Sequence, residues 1–229
     1  MTKKVYAMVI AAHPDDPEFG AAGTVARWTG EGKDVVFVIC TNGDKGAKEN
    51  IKPEDLAKIR EQEEFAAAKM LGVKEVIFMR YPDQGLEETS DFRKEIVRLI
   101  RMYRPEVILT SDPYRRYLSH RDHRIVGQVT LDAIFPGARD LLAYPDLTEQ
   151  GLLPHKVKEV LLWGSDEPNY RSDITKTFDL KIAALHCHRS QVGDNLDGLR
   201  ERMRQRARMM AEGEKFELAE VFHCIEAPG

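Results

Sequence analysis

The sequence predicts a Rossmann-like, doubly wound α/β fold, with a mostly parallel sheet and helices on both of its faces. Short β-rich runs alternate with longer helical patterns along the chain, and this repeating order is typical of parallel sheets. The first run, "VYAMVIAA" at 5–12, is continuously apolar, as in strands buried on both faces. Because crossovers between parallel strands are right-handed, we expect the first four strands to lie in the order 3-2-1-4.

Each element of the first half is indicated by its own pattern. Strands are predicted at 5–12, 34–40, 75–80 and 106–110. A short first helix ends in the glycines of "GTVARWTGEG". The second opens at Pro53, keeps its apolar residues at helical spacing and stops at Gly72. The third, "DFRKEIVRLIRMYRP", is amphipathic and closed by a proline, and a fourth is expected from about His123 to Phe135.

The last third of the chain is less regular. Strand patterns occur at 156–165 and 172–178, and helical patterns at 179–191 and 196–210. No flexible linker, repeat or low-complexity tract separates these segments from the rest. We therefore expect one domain over residues 1–229, in which 1–135 form a Rossmann-like half with the metal motifs and 136–229 form a C-terminal elaboration.

Composition excludes several classes of function. The chain has 229 residues, 34 Lys and Arg against 38 Asp and Glu, and a formal charge of −4, which argues against a nucleic-acid partner. Its three cysteines are widely spaced, as in reduced, intracellular proteins. No apolar run approaches the roughly 18 residues of a membrane span. We expect a soluble, cytoplasmic protein without a membrane span, whose apolar C-terminal helices allow a homo-oligomer.

Two groups of ionisable residues follow the first and fourth strands. The first group lies in "AAHPDDPEFG" (11–20) and the second closes "SDPYRRYLSHRDH" (111–123); their members are His13, Asp15, Asp16, Glu18, His120, Asp122 and His123. In the predicted strand order these two strands are neighbours, and the crevice at their carboxyl ends is where such folds bind ligands. The two groups are therefore expected to meet in one cleft.

The residue types fit a catalytic metal site. A catalytic zinc takes three protein ligands from His and Asp or Glu and leaves one position for water. His13 and Asp16 are three residues apart on one tight turn, and His123 would add a third ligand atom. Asp15 is adjacent to a ligand but points differently, which suits a general base that takes a proton from water.

The second group supplies partners for this chemistry. His120 and His123 form an i, i+3 pair on one side of a helical turn. If His123 holds the metal, His120 can face the substrate and either stabilise an oxyanion or protonate a leaving amine. Asp122 is available to hydrogen-bond a histidine ring and to fix its tautomer.

Structural interpretations compete with each motif. "HPDD" alone is more often a capped turn, and "HRDH" alone a surface helix start; together at one cleft they favour a metal site. The glycines of "EFGAAG" do not form G-x-G-x-x-G, which argues against a dinucleotide. On one continuous helix His186 and His188 would point about 200° apart, so we expect a structural role for both and place His188 nearer the cleft. The arginines of 200–208 spread around a helix and favour a solvated or subunit-contact face.

Together "AAHPDDPEFGAAGT" and "SHRDH" resemble the LmbE-like/PIG-L family of zinc-dependent N-acetylglucosaminyl deacetylases. Similar segments extend the resemblance over nearly the whole chain: "TNGDKG", "REQE", "YPDQGL" and "KIAALHCHRSQ". The chain departs from the family pattern at Gly20-Ala21-Ala22-Gly23, often Gly-x-Gly-Gly, at Arg121 in place of a proline, and at Leu118, where some members have a tyrosine.

The resemblance implies a role for each matching residue. One Zn²⁺ per chain, or alternatively Fe²⁺, would be held by His13, Asp16 and His123. Asp15 would be the general base, and His120 the acid or oxyanion partner. Arg60 would hold the sugar or its aglycone, and Asp83 would bind sugar hydroxyls.

Three hypotheses from different classes follow. The first is a zinc-dependent deacetylase that removes the acetyl group from a small-molecule N-acetylglucosamine conjugate or a related N-acyl amino sugar. The second is a Mg²⁺-dependent phosphoryl hydrolase, which two histidine ligands disfavour because Mg²⁺ prefers oxygen. The third is a non-catalytic nucleotide-binding module, which the missing glycine fingerprint disfavours.

Overall fold

A seven-stranded sheet organises the fold in the computed structural model, which describes residues 3–47 and 50–227. The strands are β1 Ala7–Ala11, β2 Val35–Thr41, β3 Glu75–Tyr81, β4 Val107–Ser111, β5 Glu159–Trp163, β6 Tyr170–Asp173 and β7 Ala219–Glu226. Their order is β3-β2-β1-β4-β5-β7-β6. The first five in this order run parallel, so the predicted 3-2-1-4 arrangement and the mostly parallel α/β fold are confirmed.

Eight α-helices connect or flank these strands in the described part of the chain. They are α1 Asp16–Gly30, α2 Pro53–Met70, α3 Ser90–Tyr103, α4 Arg121–Asp132, α5 Pro145–Glu149, α6 Phe178–Leu185, α7 Arg189–Val192 and α8 Leu196–Met210. A π-helical turn, Ala133–Ala138, continues α4. None of the described helices is long and apolar enough to cross a membrane.

Side chains of β1 alternate between two buried layers, which explains its uninterrupted apolar sequence. Met8 and Ile10 pack into the core on one face of the sheet. Ala7, Val9 and Ala11 pack into the core on the other face, mainly against α1 and β2. Burial on both faces is what a doubly wound sheet requires of its central strand.

Like the short helix α5, strand β7 is an element that the sequence patterns missed. It pairs antiparallel with both β5 and β6 and extends the sheet beyond the Rossmann-like half. Its sequence, "AEVFHCIE", mixes polar with apolar residues, and several of its positions are only half-buried. Such a strand is specified by distant partners more than by its own periodicity.

Several expected boundaries differ from the structure. Helix α1 begins at Asp16, before the run "GTVARWTGEG" in which the sequence indicated it. Helix α4 begins at Arg121 with His120 as its N-cap, earlier than the His123 start inferred from the sequence. The strand expected at 172–178 is only β6, which ends at Asp173. The helix expected at 179–191 is interrupted after Leu185. His186 and His188 therefore do not lie on one continuous helix, and the angle of about 200° expected between them does not apply.

Parallel strands bring their carboxyl ends, and the loops that follow them, to one edge of the sheet. Helix α4 lies close to the end of β4 because Gly127 faces the Ser111 carbonyl and Pro113, where a Cβ atom would overlap both. This close approach places the start of α4 opposite the loop that follows β1. The candidate site lies between them.

Candidate metal centre and active site

The loop between β1 and α1 holds its ionisable residues by backbone geometry. Asp15 has φ 103°, in the left-handed region that non-glycine residues rarely adopt. The carboxylate of Asp16 accepts a hydrogen bond from the backbone N–H of His13 at 2.8 Å. This turn directs the side chains of His13 and Asp16 to the same side.

The start of α4 orients the second group. His120 is the N-cap, and its Nδ1 accepts a hydrogen bond from the backbone N–H of Asp122 at 3.2 Å. A neutral His120 therefore carries its proton on Nε2. Burial and the charges of His13 and His123 lower the pKa of His120, which favours this neutral form at pH 7.

Three side chains, from the turn between β1 and α1 and from the start of α4, meet at one point. His13 Nδ1 lies 3.2 Å from His123 Nε2 and 3.3 Å from Asp16 Oδ2. The other oxygen of that carboxylate, Asp16 Oδ1, lies 3.1 Å from His123 Nε2. A tetrahedral zinc with bonds of about 2.0–2.1 Å places neighbouring ligand atoms roughly 3.3–3.4 Å apart. The spacing of the three groups fits such an ion.

The other nitrogen of His13 faces two further carboxylates. Nε2 lies 3.1 Å from Asp83 Oδ1 and 3.3 Å from Asp122 Oδ2. Metal-binding histidines commonly donate their second ring N–H to a carboxylate, which fixes the tautomer and leaves the first nitrogen free to coordinate. This arrangement suits Nδ1 as the coordinating atom of His13.

Negative charge dominates the cluster. Burial opposes protonation of His13. Hydrogen bonds with the carboxylates of Asp122, Asp16 and Asp83 nevertheless raise its pKa to about 12. Burial also opposes ionisation of Asp16, yet His123 and His13 hold the pKa of its carboxyl well below the usual value. A divalent cation on Nδ1 would take the place of the proton.

Alternative groupings around His13 are also close enough to share an ion. His13 with His120 and His123 is one, and His13 with Asp83 and Asp122 is another. The structure therefore supports a cation site centred on His13, whichever donors complete it.

Asp15 lies beside this cluster in a largely buried position. Its Oδ2 is 3.5 Å from Arg60 Nη2. Burial and the negative charge of Asp16 raise the pKa of Asp15 to about 6, although Arg60 and His188 oppose the shift. A carboxylate with a raised pKa, next to a cation site, has the properties of a general base.

Arg60 and Asp83, expected from the resemblance to bind substrate, are both engaged with the protein. Arg60 is 4% exposed and donates to the carbonyls of Gly43 at 3.1 Å and of Pro14 at 2.7 Å. Asp83 is 6% exposed and contacts the His13 ring. Their contact with a substrate stays a prediction.

The family departures have local structural consequences. Arg121 donates to the Leu86 carbonyl and pairs with Glu87 at 2.6 Å, which ties the loop after β3 to the start of α4. Tyr117 and Leu118 are almost fully exposed, so neither side chain packs into the site.

A cavity of about 380 Å³ opens beside the cluster, a volume typical of small-molecule sites. Asp16, His123 and Trp163 are among the residues that line it. Arginines 115 and 206 also face it. Its size allows a sugar with an attached group to lie next to the candidate ligands.

Sequence reasoning missed a second buried cluster behind Asp15. It consists of Glu18, Glu64 and His188, each with no exposed surface. His188, which the sequence placed nearer the cleft than His186, is fully buried beneath the β1–α1 loop, with its Nε2 3.2 Å from Glu18 Oε2. The signal that could have revealed this cluster is Glu64 one helical turn after Arg60, a charged residue on the same face of α2 as Leu56 and Ala67.

Comparison with known proteins identifies the family. The model of the family described as PIG-L, GlcNAc-PI de-N-acetylase, matches residues 8–134, which include both loops of the cluster. The chain belongs to the PIG-L family. This confirms the resemblance seen in the two sequence motifs.

Curated relatives align with most of the chain. Diacetylchitobiose deacetylase of Thermococcus kodakarensis is 35% identical over 85% of this chain and 72% of its own. Mycothiol S-conjugate amidase of Streptomyces coelicolor is 32% identical over 73% of this chain and 64% of its own. The structure of N,N'-diacetylchitobiose deacetylase from Pyrococcus horikoshii superposes with a TM-score of 0.90, 29% identity, and coverage of 98% of this chain and 84% of the other.

Proposed function

We propose that the protein is a zinc-dependent deacetylase that hydrolyses the acetamide of an N-acetylglucosamine conjugate. The observation that carries the proposal is the convergence of His13, Asp16 and His123, with ring nitrogens 3.2 Å apart, in a chain of the PIG-L family. Two relatives are named as a diacetylchitobiose deacetylase and a mycothiol S-conjugate amidase, and both names describe hydrolysis of an amide.

The donor set supports zinc as the metal. Two imidazole nitrogens and one carboxylate are ligands that zinc prefers, whereas magnesium prefers oxygen donors throughout. His13, Asp16 and His123 would hold the ion, and Asp122 with Asp83 would orient the His13 ring from its other side. When bound, zinc acidifies water and polarises a carbonyl group.

Asp15 acts as the general base in this proposal. It takes a proton from the attacking water, and the oxygen adds to the acetyl carbon. Breakage of the carbon–nitrogen bond then requires a proton on the departing amine, which Asp15 returns. The raised pKa of Asp15, about 6, suits a group that accepts and then gives up a proton near neutral pH.

His120 stabilises the oxyanion that develops during attack. Its Nδ1 is occupied by the backbone N–H of Asp122, so its Nε2 carries the proton. The lowered pKa keeps the ring neutral. The neutral ring donates a hydrogen bond to the oxyanion, as the donors of an oxyanion hole do.

The substrate's remaining atoms fit the adjacent cavity. Asp16, His123 and Trp163 line the cavity together with residues of α8. A sugar ring can pack against the indole, and polar substituents can reach the arginines at 115 and 206. The group attached to the sugar would therefore lie between the end of β5 and α8.

The proposal is tested by acetate release from a panel of N-acetylglucosamine conjugates. We expect acetate and free amine in equal amounts, loss of release with a chelator, and recovery when zinc is restored. N-acetylated amino acids serve as controls that contain the same amide without the sugar. Absence of acetate release from every sugar conjugate by the zinc-replete protein would contradict the proposal.

The rate is expected to fall in acid because Asp15 must be ionised to act as a base. Its folded-state pKa is raised to about 6, and a nearby cation favours the ionised carboxylate. The acid limb of kcat/KM should therefore lie at or below about pH 6, with one proton taken up. The measurement is kcat/KM across this range at constant metal; an acid limb above about pH 7 would be inconsistent with this base.

A further inference from the structure

The peptide group between Pro14 and Asp15 is held at both ends by one face of α2. Arg60 Nη2 donates to the Pro14 carbonyl at 2.7 Å. Glu64 Oε2 accepts from the Asp15 N–H at 3.1 Å. Arg60 and Glu64 are four residues apart and so lie on the same side of the helix. Residues one helical turn apart therefore hydrogen-bond to both the carbonyl and the N–H of a single peptide group.

This peptide sets the direction of the Asp15 side chain. Asp15 has φ 103° and ψ −26°, a conformation that a non-glycine residue keeps only when its surroundings enforce it. With a relaxed, negative φ the Asp15 carboxylate would leave its place beside the candidate metal ligands. The contacts at the two ends of the peptide oppose that rotation.

Glu64 is supported from behind by a buried histidine. His188 has no exposed surface, and its Nε2 lies 3.2 Å from Glu18 Oε2 and 3.8 Å from Glu64 Oε2. Apart from these ion-pair contacts, both His188 nitrogens and both Glu18 oxygens lack a hydrogen-bond partner among the described residues. The imidazole packs against the carboxyl groups of both glutamates and so fills the space behind Glu64.

We propose that Glu64 is a positioning residue, which holds the backbone of Asp15 in the conformation that directs its carboxylate to the reacting water. The inference rests on the proposed function, since it assigns Asp15 as the base. Glu64 is fully buried, and its Oε2 contacts the Asp15 N–H and His188, so in this proposal it acts through the peptide N–H.

The test compares Glu64→Met with Glu64→Gln. Methionine has a similar size and offers only a weakly accepting sulfur in place of the carboxyl oxygens, whereas glutamine keeps an oxygen for the Asp15 N–H. We expect Glu64→Met to lower kcat by about 10–100-fold, as misplacement of a reacting group does, with KM and bound zinc unchanged. Glu64→Gln should keep most of the rate. Glu61→Ala is the control: it changes a residue of the same helix that pairs with Arg80 of β3 at the surface, and it should leave kcat unchanged.

A second readout follows the backbone directly. Hydrogen exchange of the Asp15 amide, measured by NMR, should be slow in the wild-type protein and in Glu64→Gln, and faster in Glu64→Met. If Glu64→Met fails to fold, the exchange rates of the Asp15 amide in the wild-type protein and in Glu64→Gln still test the proposal. Exchange as fast as that of exposed loop amides in the wild-type protein would overturn the proposal.

Two further outcomes would also overturn it. One is a Glu64→Met protein with wild-type kcat and an unchanged Asp15 amide. The other is a second zinc per chain in the wild-type protein that both variants lose, which would make Glu64 a metal ligand and not a positioning residue. Failure of the proposed function can be told apart from failure of this inference. Full activity of Asp15→Asn would remove the role of Asp15 as the base, whatever the exchange of its amide shows.

Discussion

Replacing Asp15 by asparagine is expected to lower kcat by about 10²–10⁴-fold, the usual contribution of a general base. The amide keeps the size of the side chain and removes its ability to accept a proton. Zinc content should stay at one per chain, because Asp15 is not among the three groups whose atoms lie 3.1–3.3 Å apart. The measurements are single-substrate kinetics and elemental analysis of the same preparation.

Asp34→Asn provides a matched control. Asp34 is a partly exposed carboxylate that pairs with Lys74 away from the site, so the same chemical change there should leave kcat unaltered. Retention of full activity by Asp15→Asn would remove Asp15 as the base. Loss of zinc from this variant would instead indicate that Asp15 belongs to the ligand set.

Replacing His123 by alanine is expected to abolish both zinc retention and acetate release. The change removes one of only three protein donors, and the remaining pair cannot complete the site. Asp122→Asn should have a smaller effect, about 10–100-fold in zinc affinity, because Asp122 contacts the His13 ring without being one of the proposed donors. Zinc affinity measured by competition with a chelator should rank the wild-type protein above Asp122→Asn and Asp122→Asn above His123→Ala.

His223→Ala tests whether loss of any histidine produces this effect. His223 lies on β7, and its Nδ1 contacts the Glu167 carbonyl at 2.7 Å, outside the cluster. Its removal should leave zinc affinity unchanged. Equal zinc affinity in His123→Ala and in the wild-type protein would contradict the proposed ligand set.

The sequence was sufficient to predict that the two groups of ionisable residues lie close together. Apolar strands buried on both faces predict a parallel sheet, and the topology of such sheets places the ends of β1 and β4 side by side. His13 and His123 could therefore be expected in one cleft although 110 residues separate them. The conclusion depended on residue type and strand order alone.

Other features depend on packing that no local pattern reports. His188 reaches the space behind Asp15 because the chain breaks between α6 and α7, where the sequence suggested one helix. The role of Glu64 depends on which side of α2 faces the β1–α1 loop. Strand β7 is paired with β5 and β6, which precede it by some 50 residues, and its own residues alternate too weakly to reveal it.

The most direct test of the central claim is anomalous diffraction at the zinc absorption edge from crystals of the zinc-replete protein. The account predicts one strong peak per chain, within about 2.0–2.2 Å of His13 Nδ1, a carboxylate oxygen of Asp16 and His123 Nε2. A peak held by His13 Nε2 with Asp83 and Asp122, or no peak at either side of the His13 ring, would contradict it.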